Sequence, residues 1–165
     1  MPKTVKEALA IDEEMGTDFW RKALGKEMTK MKVAWRGADG VTRKQARTGK
    51  EPSLIGFQEI RYHEIFDVKM DSTRKARFVA GGLTTDTPGL ITYSSVVSRD
   101  SVQLEFLIAG LNYLDVLAGD VTNAYLNALC REKSWFEGGV ETGEDRGKVL
   151  IVTRALYGLK SSGAA

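Results

Sequence analysis

Apolar residues recur along the chain at two different spacings, and each spacing predicts its own kind of element. Trp20, Leu24, Met28 and Met31 follow one another at steps of three and four, with Arg21, Lys22, Lys26 and Lys30 between them. That pattern predicts an amphipathic helix with a basic outer side. A shorter helix precedes it, because Thr4 and Glu7 stand at capping-box spacing and Gly16 can end the element. Residues 55–60, 64–70 and 75–80 are rich in β-branched and aromatic side chains. They are bounded by Gly56, Asp71-Ser72-Thr73 and Gly81-Gly82, which predicts strands of an antiparallel sheet joined by tight turns. The nearly continuous apolar run 102–111 follows Ser98 and Asp100, either of which can cap, and so predicts a helix buried on most sides. Residues 114–121 read as a short buried strand, residues 149–153 as another, and Tyr157-Gly158 as a turn.

Composition refines this picture in three places. Residues 36–53 hold many Gly, Lys, Arg, Thr and Ser, and read as a mobile basic loop. They close an N-terminal helical segment, 1–53, and lead into a strand-bearing remainder, 54–165. A hydrophobic fraction of 42% in 165 residues is enough for one packed domain; predicted helices together with an antiparallel sheet put it in the α+β class, with helices expected on one side of the sheet. Cys130 and His63 are the sole residues of their kinds, which excludes an internal disulfide and a Cys/His zinc site. A reduced, intracellular protein is the default for such a chain. A membrane partner is not expected, because no apolar run reaches the roughly 20 residues that a span requires.

Charge is segregated under a net value of +2. Residues 21–50 hold ten Lys or Arg against Glu27 and Asp39, leaving +8, whereas residues 86–147 hold ten acids against four bases, leaving −6. The first stretch suits a polyanion, the second a metal or solvent. Asp120 sits where the apolar run 114–121 gives way to Thr122 and Asn123. Such a carboxylate either caps the helix that follows or ligates a metal, and the second role needs further acids close in space.

Five stretches occur in the order found in one enzyme family. They are Glu7-Ala8-Leu9 with the run from Trp20 to Met28, then Phe66-Asp67-Val68-Lys69, then the run from Lys75 to Ala80, then Asp120-Val121-x-x-Ala124-Tyr125-Leu126, and finally the run from Ala155 to Ser161. Together they resemble the N-terminal part of the reverse transcriptase (RNA-directed DNA polymerase) of copia-type long-terminal-repeat retrotransposon polyproteins. The resemblance implies a partial right-hand polymerase fold, fingers plus the first part of the palm.

The resemblance also implies roles for single residues. Asp120 would be the catalytic carboxylate holding Mg2+ or Mn2+, with the Val121 carbonyl as a further ligand. The amides of Asn123 and Ala124 would face a deoxynucleoside triphosphate, and the ring of Tyr125 would exclude a ribose 2′-hydroxyl. Lys75 and Arg77 would grip the triphosphate or the template. Gly158 and Lys160 would lie in a loop contacting template and nucleotide. The implied partners are an RNA or DNA template-primer, a dNTP and the remainder of the polyprotein. The implied setting is a cytoplasmic virus-like particle or the nucleus. From the residues alone, Lys75 and Arg77 also fit solvated edge-strand cations, and Tyr125 a packed aromatic.

Some features depart from the family. The Tyr-x-Asp-Asp hairpin that supplies its remaining carboxylates occurs nowhere in these 165 residues. Asp115, at an odd offset from Asp120, would face the opposite side of a strand. Ala128 stands where a glycine is common, and Leu83-Thr84 replaces a more polar turn. The expectation is therefore a polypeptide that is not a competent polymerase by itself. A non-catalytic nucleic-acid-binding module or a genomic relic is the alternative.

Overall fold

The computed structural model describes residues 1–82, 85, 86, 89 and 92–165. The Leu83-Thr84 turn lies outside the described residues. The first helix, α1 (Val5–Met15), begins where the Thr4 hydroxyl accepts the Glu7 amide at 3.2 Å. The Glu7 carboxylate reaches one residue further back than a reciprocal box requires and accepts the Lys3 amide at 2.8 Å. Gly16 ends the helix in the left-handed conformation, φ 62°, where a side chain would be strained.

Helix α2 (Phe19–Met31) buries Trp20, Leu24, Met28 and Met31, the four positions of its apolar stripe. It packs on the hairpin formed by β3 (Tyr62–Val68) and β4 (Arg74–Ala80). Trp20 and Leu24 meet Phe66 and Ala76, while Met28 and Met31 join Phe78 in the larger core. Glu27, on the same helix, accepts the Phe78 amide at 3.2 Å and so pins α2 to β4. Among the described residues no helix is long and apolar enough to cross a membrane.

The protein is α+β, and its main sheet is mixed. Its strands run in the order β1 (Trp35–Gly37), β6 (Val149–Val152), β5 (Ser134–Glu137), β2 (Gln58–Glu59). β1 pairs β6 and β6 pairs β5 antiparallel, but β2 lies parallel to β5, so the antiparallel expectation holds for the hairpin and for two of these three pairings. β6 is buried at all four positions, which explains its unbroken Val-Leu-Ile-Val run. Trp35, Tyr62, Phe78 and Phe136 form one aromatic cluster with centroid separations from 4.6 to 5.7 Å, joining hairpin to sheet.

Three expectations are corrected. The stretch 36–53 is not an irregular loop throughout: it contains α3 (Arg43–Arg47), opened by a Thr42–Gln45 capping box. Arg43 bridges Glu59 at 2.8 Å and Glu137 at 2.6 Å, and Arg47 bridges Glu59 at 2.6 Å. Helix α4 (Arg99–Leu111) does form, with Ser98 as its cap, yet among its residues only Ala109 is buried. Residues 114–121 form no strand; they are exposed throughout, Leu117 at 97%. Both segments have the apolar composition of buried elements, but a strand needs a neighbouring edge and a buried helix needs a covering surface. Among the described residues neither finds one.

A half-buried carboxylate, Glu64, makes stability depend on pH. The Tyr62 hydroxyl donates to Glu141, and Glu64 stands nearby with its Oε1 buried and unbonded. Burial, and then the neighbouring Glu141 carboxylate, push the Glu64 carboxyl up to about 7. The unfolded chain gives up this proton near roughly pH 4.3. Stability attached to Glu64 is therefore full at lower pH, declines as pH rises, and is gone above about 7. Glu64→Gln is expected to stabilise the protein at pH 8 by roughly 1–2 kcal/mol, a figure reduced for partial exposure, and to be neutral at pH 4.5. Urea unfolding at the two pH values checks this, and an equal difference at both would remove the Glu64 assignment.

Candidate functional site

Strand alternation sorts the residues of β4. Ala76, Phe78 and Ala80 turn into the core, which leaves Lys75 and Arg77 on the other face. Helix α2 lies alongside, so that Lys30 and Glu27 stand next to the two cations. On the far side is α5 (Ala124–Asn127), a single turn entered through Asn123, which adopts the left-handed conformation at φ 53° and ψ 43°. Leu126 of this turn packs on the main core, and the Asn127 carbonyl accepts from Arg154 at 3.3 Å.

These elements enclose a cleft of about 70 Å³ lined by Glu27, Lys30, Met31, Lys75, Arg77, Asn123, Tyr125, Leu126 and Tyr157. Lys75, Arg77, Asn123 and Tyr125 were singled out from separate stretches of sequence, and here they share one wall-to-wall space. Lys30 and Tyr157 were not singled out as site residues. Lys30 belongs to the basic side of the α2 stripe and Tyr157 to the last of the five stretches, so both carried a signal that spacing alone does not convert into a location. Three cations against the Glu27 carboxylate, itself engaged by the Phe78 amide, make the cleft suited to an anion.

The cleft is one end of a longer groove. It shares Glu27, Lys30 and Lys75 with a second space of about 150 Å³. That second space shares Ala23, Lys26, Thr73 and Arg74 with a third of about 510 Å³, reaching Phe19. Within the groove Lys26, Lys30, Lys69, Lys75 and Arg77 enter no ion pair among the described residues.

The other residues singled out from sequence lie elsewhere. Asp120 and Val121 precede the cleft in the exposed irregular run, and Asn123, not Asp120, occupies the cap position of α5. Ala124 opens the same turn but does not line the cleft. Gly158 packs under the end of β4, close to the Ala80 carbonyl. Lys160 is half-buried and donates to the Thr85 carbonyl at 2.5 Å. Among the described residues no three His, Cys, Asp or Glu side chains stand close enough to hold a metal ion. One exposed aspartate does not fit a two-metal centre, which needs carboxylates on both ions.

No family model and no solved structure matches the chain. The chain is similar to the Transposon Ty1-BL and Transposon Ty1-DR4 Gag-Pol polyproteins of Saccharomyces cerevisiae, at 34% identity over 105 residues, 61% of the chain. The Transposon TyH3 Gag-Pol polyprotein of Saccharomyces cerevisiae matches at the same identity and coverage. The chain spans about 6% of the length of these relatives. It is thus homologous to a portion of a transposon Gag-Pol polyprotein.

Proposed function

We propose that the chain is the fingers and first part of the palm of a retrotransposon reverse transcriptase, whose intact enzyme transfers the nucleotidyl group of a dNTP to a primer 3′-hydroxyl inside the cell, with pyrophosphate as the leaving group. One observation carries the reading. The residues that the polymerase resemblance assigns to the incoming nucleotide, Lys75 and Arg77 on one side and Asn123 and Tyr125 on the other, line a single cationic cleft. Homology to a transposon Gag-Pol polyprotein supports it. In this reading the cations hold the triphosphate by charge-assisted hydrogen bonds and Tyr125 stands against the sugar. Asp120 is the carboxylate of the first polymerase motif, and the other ligands of the Mg2+ or Mn2+ centre are not among these 165 residues. No catalytic step is assigned to the chain alone.

A second reading, a non-catalytic nucleic-acid-binding module, is favoured by the groove that continues from the cleft past Lys26 and Lys69. One set of measurements separates the two. The first reading expects the chain to bind dATP at low salt, with affinity falling about tenfold for Lys75→Ala and again for Arg77→Ala. It also expects no primer extension with magnesium or manganese. Salt-sensitive binding of single-stranded RNA without any dATP binding would leave only the second reading. Template-dependent incorporation by the chain would contradict the incomplete metal centre.

A further inference from the structure

The cleft closes at its α5 end on two aromatic rings that are held very differently. Tyr125 and Tyr157 meet edge to face, with centroids 4.6 Å apart and planes at 77°. The Tyr157 carbonyl accepts the Ala80 amide at 2.7 Å, which fastens its backbone to the end of the strand that carries Lys75 and Arg77. Gly158, next in sequence, lies against the Ala80 carbonyl with no room for a side chain. Tyr125, by contrast, stands on a four-residue turn behind an exposed irregular run. Among the described residues its hydroxyl has no hydrogen-bond partner, and its one ring contact is Tyr157.

We infer that Tyr157 is a positioning residue: the edge-to-face contact with its ring fixes the plane of Tyr125, and so determines how strictly the cleft separates a deoxyribose from a ribose. This rests on the nucleotide-binding reading above, in which Tyr125 lies against the sugar. Edge-to-face pairing favours one orientation of the second ring over a splayed one, and a ring free to swing away leaves space for a 2′-hydroxyl. Tyr157 is 44% exposed, so removing its ring costs the core little.

The test uses the full chain with Tyr157→Phe and Tyr157→Leu, and equilibrium dialysis against dATP and ATP separately at low ionic strength. The parent is expected to prefer dATP. Tyr157→Phe, which keeps the ring, should keep the preference, whereas Tyr157→Leu should lose about three- to tenfold of it through tighter ATP binding, with dATP affinity within about twofold. An unchanged preference in Tyr157→Leu overturns the inference, as does an equal fall in both affinities, which a merely supporting side chain would produce. Loss of the preference in Tyr157→Phe overturns it too, since the ring would then not be what acts. A parent that binds both nucleotides equally removes the role of Tyr125 and this inference with it. A parent that binds neither defeats the nucleotide-binding reading itself.

Discussion

Gly158→Ala is expected to lower the melting temperature by about 10 °C or more, a loss on the order of 3–5 kcal/mol. Two costs add at this position. Its φ of 92° is open to glycine and strained for any L side chain. A Cβ would also run into the Ala80 carbonyl, with the Ala80 carbonyl carbon and Val79 Cγ1 each at 3.0 Å. The neighbour here is strand backbone, which cannot move aside without breaking the Ala80–Tyr157 hydrogen bond. Relief by displacement of the 157–160 turn would carry Tyr157 away from Tyr125 and open the cleft. Thermal unfolding of the purified variant checks this. A melting temperature within about 2 °C of the parent would mean that the close packing of this turn on β4 is wrong.

Gly158 also shows what a sequence by itself leaves unseen. The polymerase resemblance assigns it to a template-contacting loop, and nothing in a Tyr-Gly pair announces a strand end pressed against it. The features legible in sequence were those whose cause is local. The Thr4 cap, the Gly16 stop and the four-residue rhythm of α2 are decided within one or two helical turns, and each stands as read. The Thr42-x-x-Gln45 capping box inside α3 was equally local and was hidden by the basic composition around it. What sequence could not supply was the identity of partners. Helix α4 has the apolar content of a core helix but exposes Leu104, Leu107, Ile108 and Leu111. The run 114–121 has strand composition, but no strand among the described residues pairs with it. The cleft was legible in another sense: its residue types could be named one by one, but only β4 packing on α2 brings Lys30 beside Lys75.

The same distinction governs the second large effect, which falls on a residue no motif marks. Asp12 is 2% exposed near the end of α1, and its carboxylate accepts the Trp20 amide at 3.2 Å, the Arg21 amide at 2.8 Å and the Thr17 hydroxyl at 3.1 Å. Those amides belong to the first turn of α2, whose formal cap, Asp18, makes no side-chain cap bond. Asp12 therefore caps the following helix from the preceding one and sets the angle between them. Asp12→Ala should cost roughly 3 kcal/mol, because it leaves buried amides unpaired and removes charge-assisted bonds. Asp18→Ala should stay within about 0.5 kcal/mol, since it loses only an exposed pair with Lys22. Burial raises the Asp12 carboxyl, but the two amides, the Thr17 hydroxyl and the Arg21 charge outweigh it, and the group titrates below the usual carboxylate range. Its contribution is then present above roughly pH 4 and lost as pH falls through the lowered value, so the gap between parent and Asp12→Ala should narrow in acid. Denaturant unfolding of the three proteins at pH 7 and pH 3 reads all of this. If Asp18→Ala proved the more damaging, or if the Asp12 gap stayed constant with pH, the cap would have to be reassigned, and with it the placement of α2 on β4 that builds the cationic cleft.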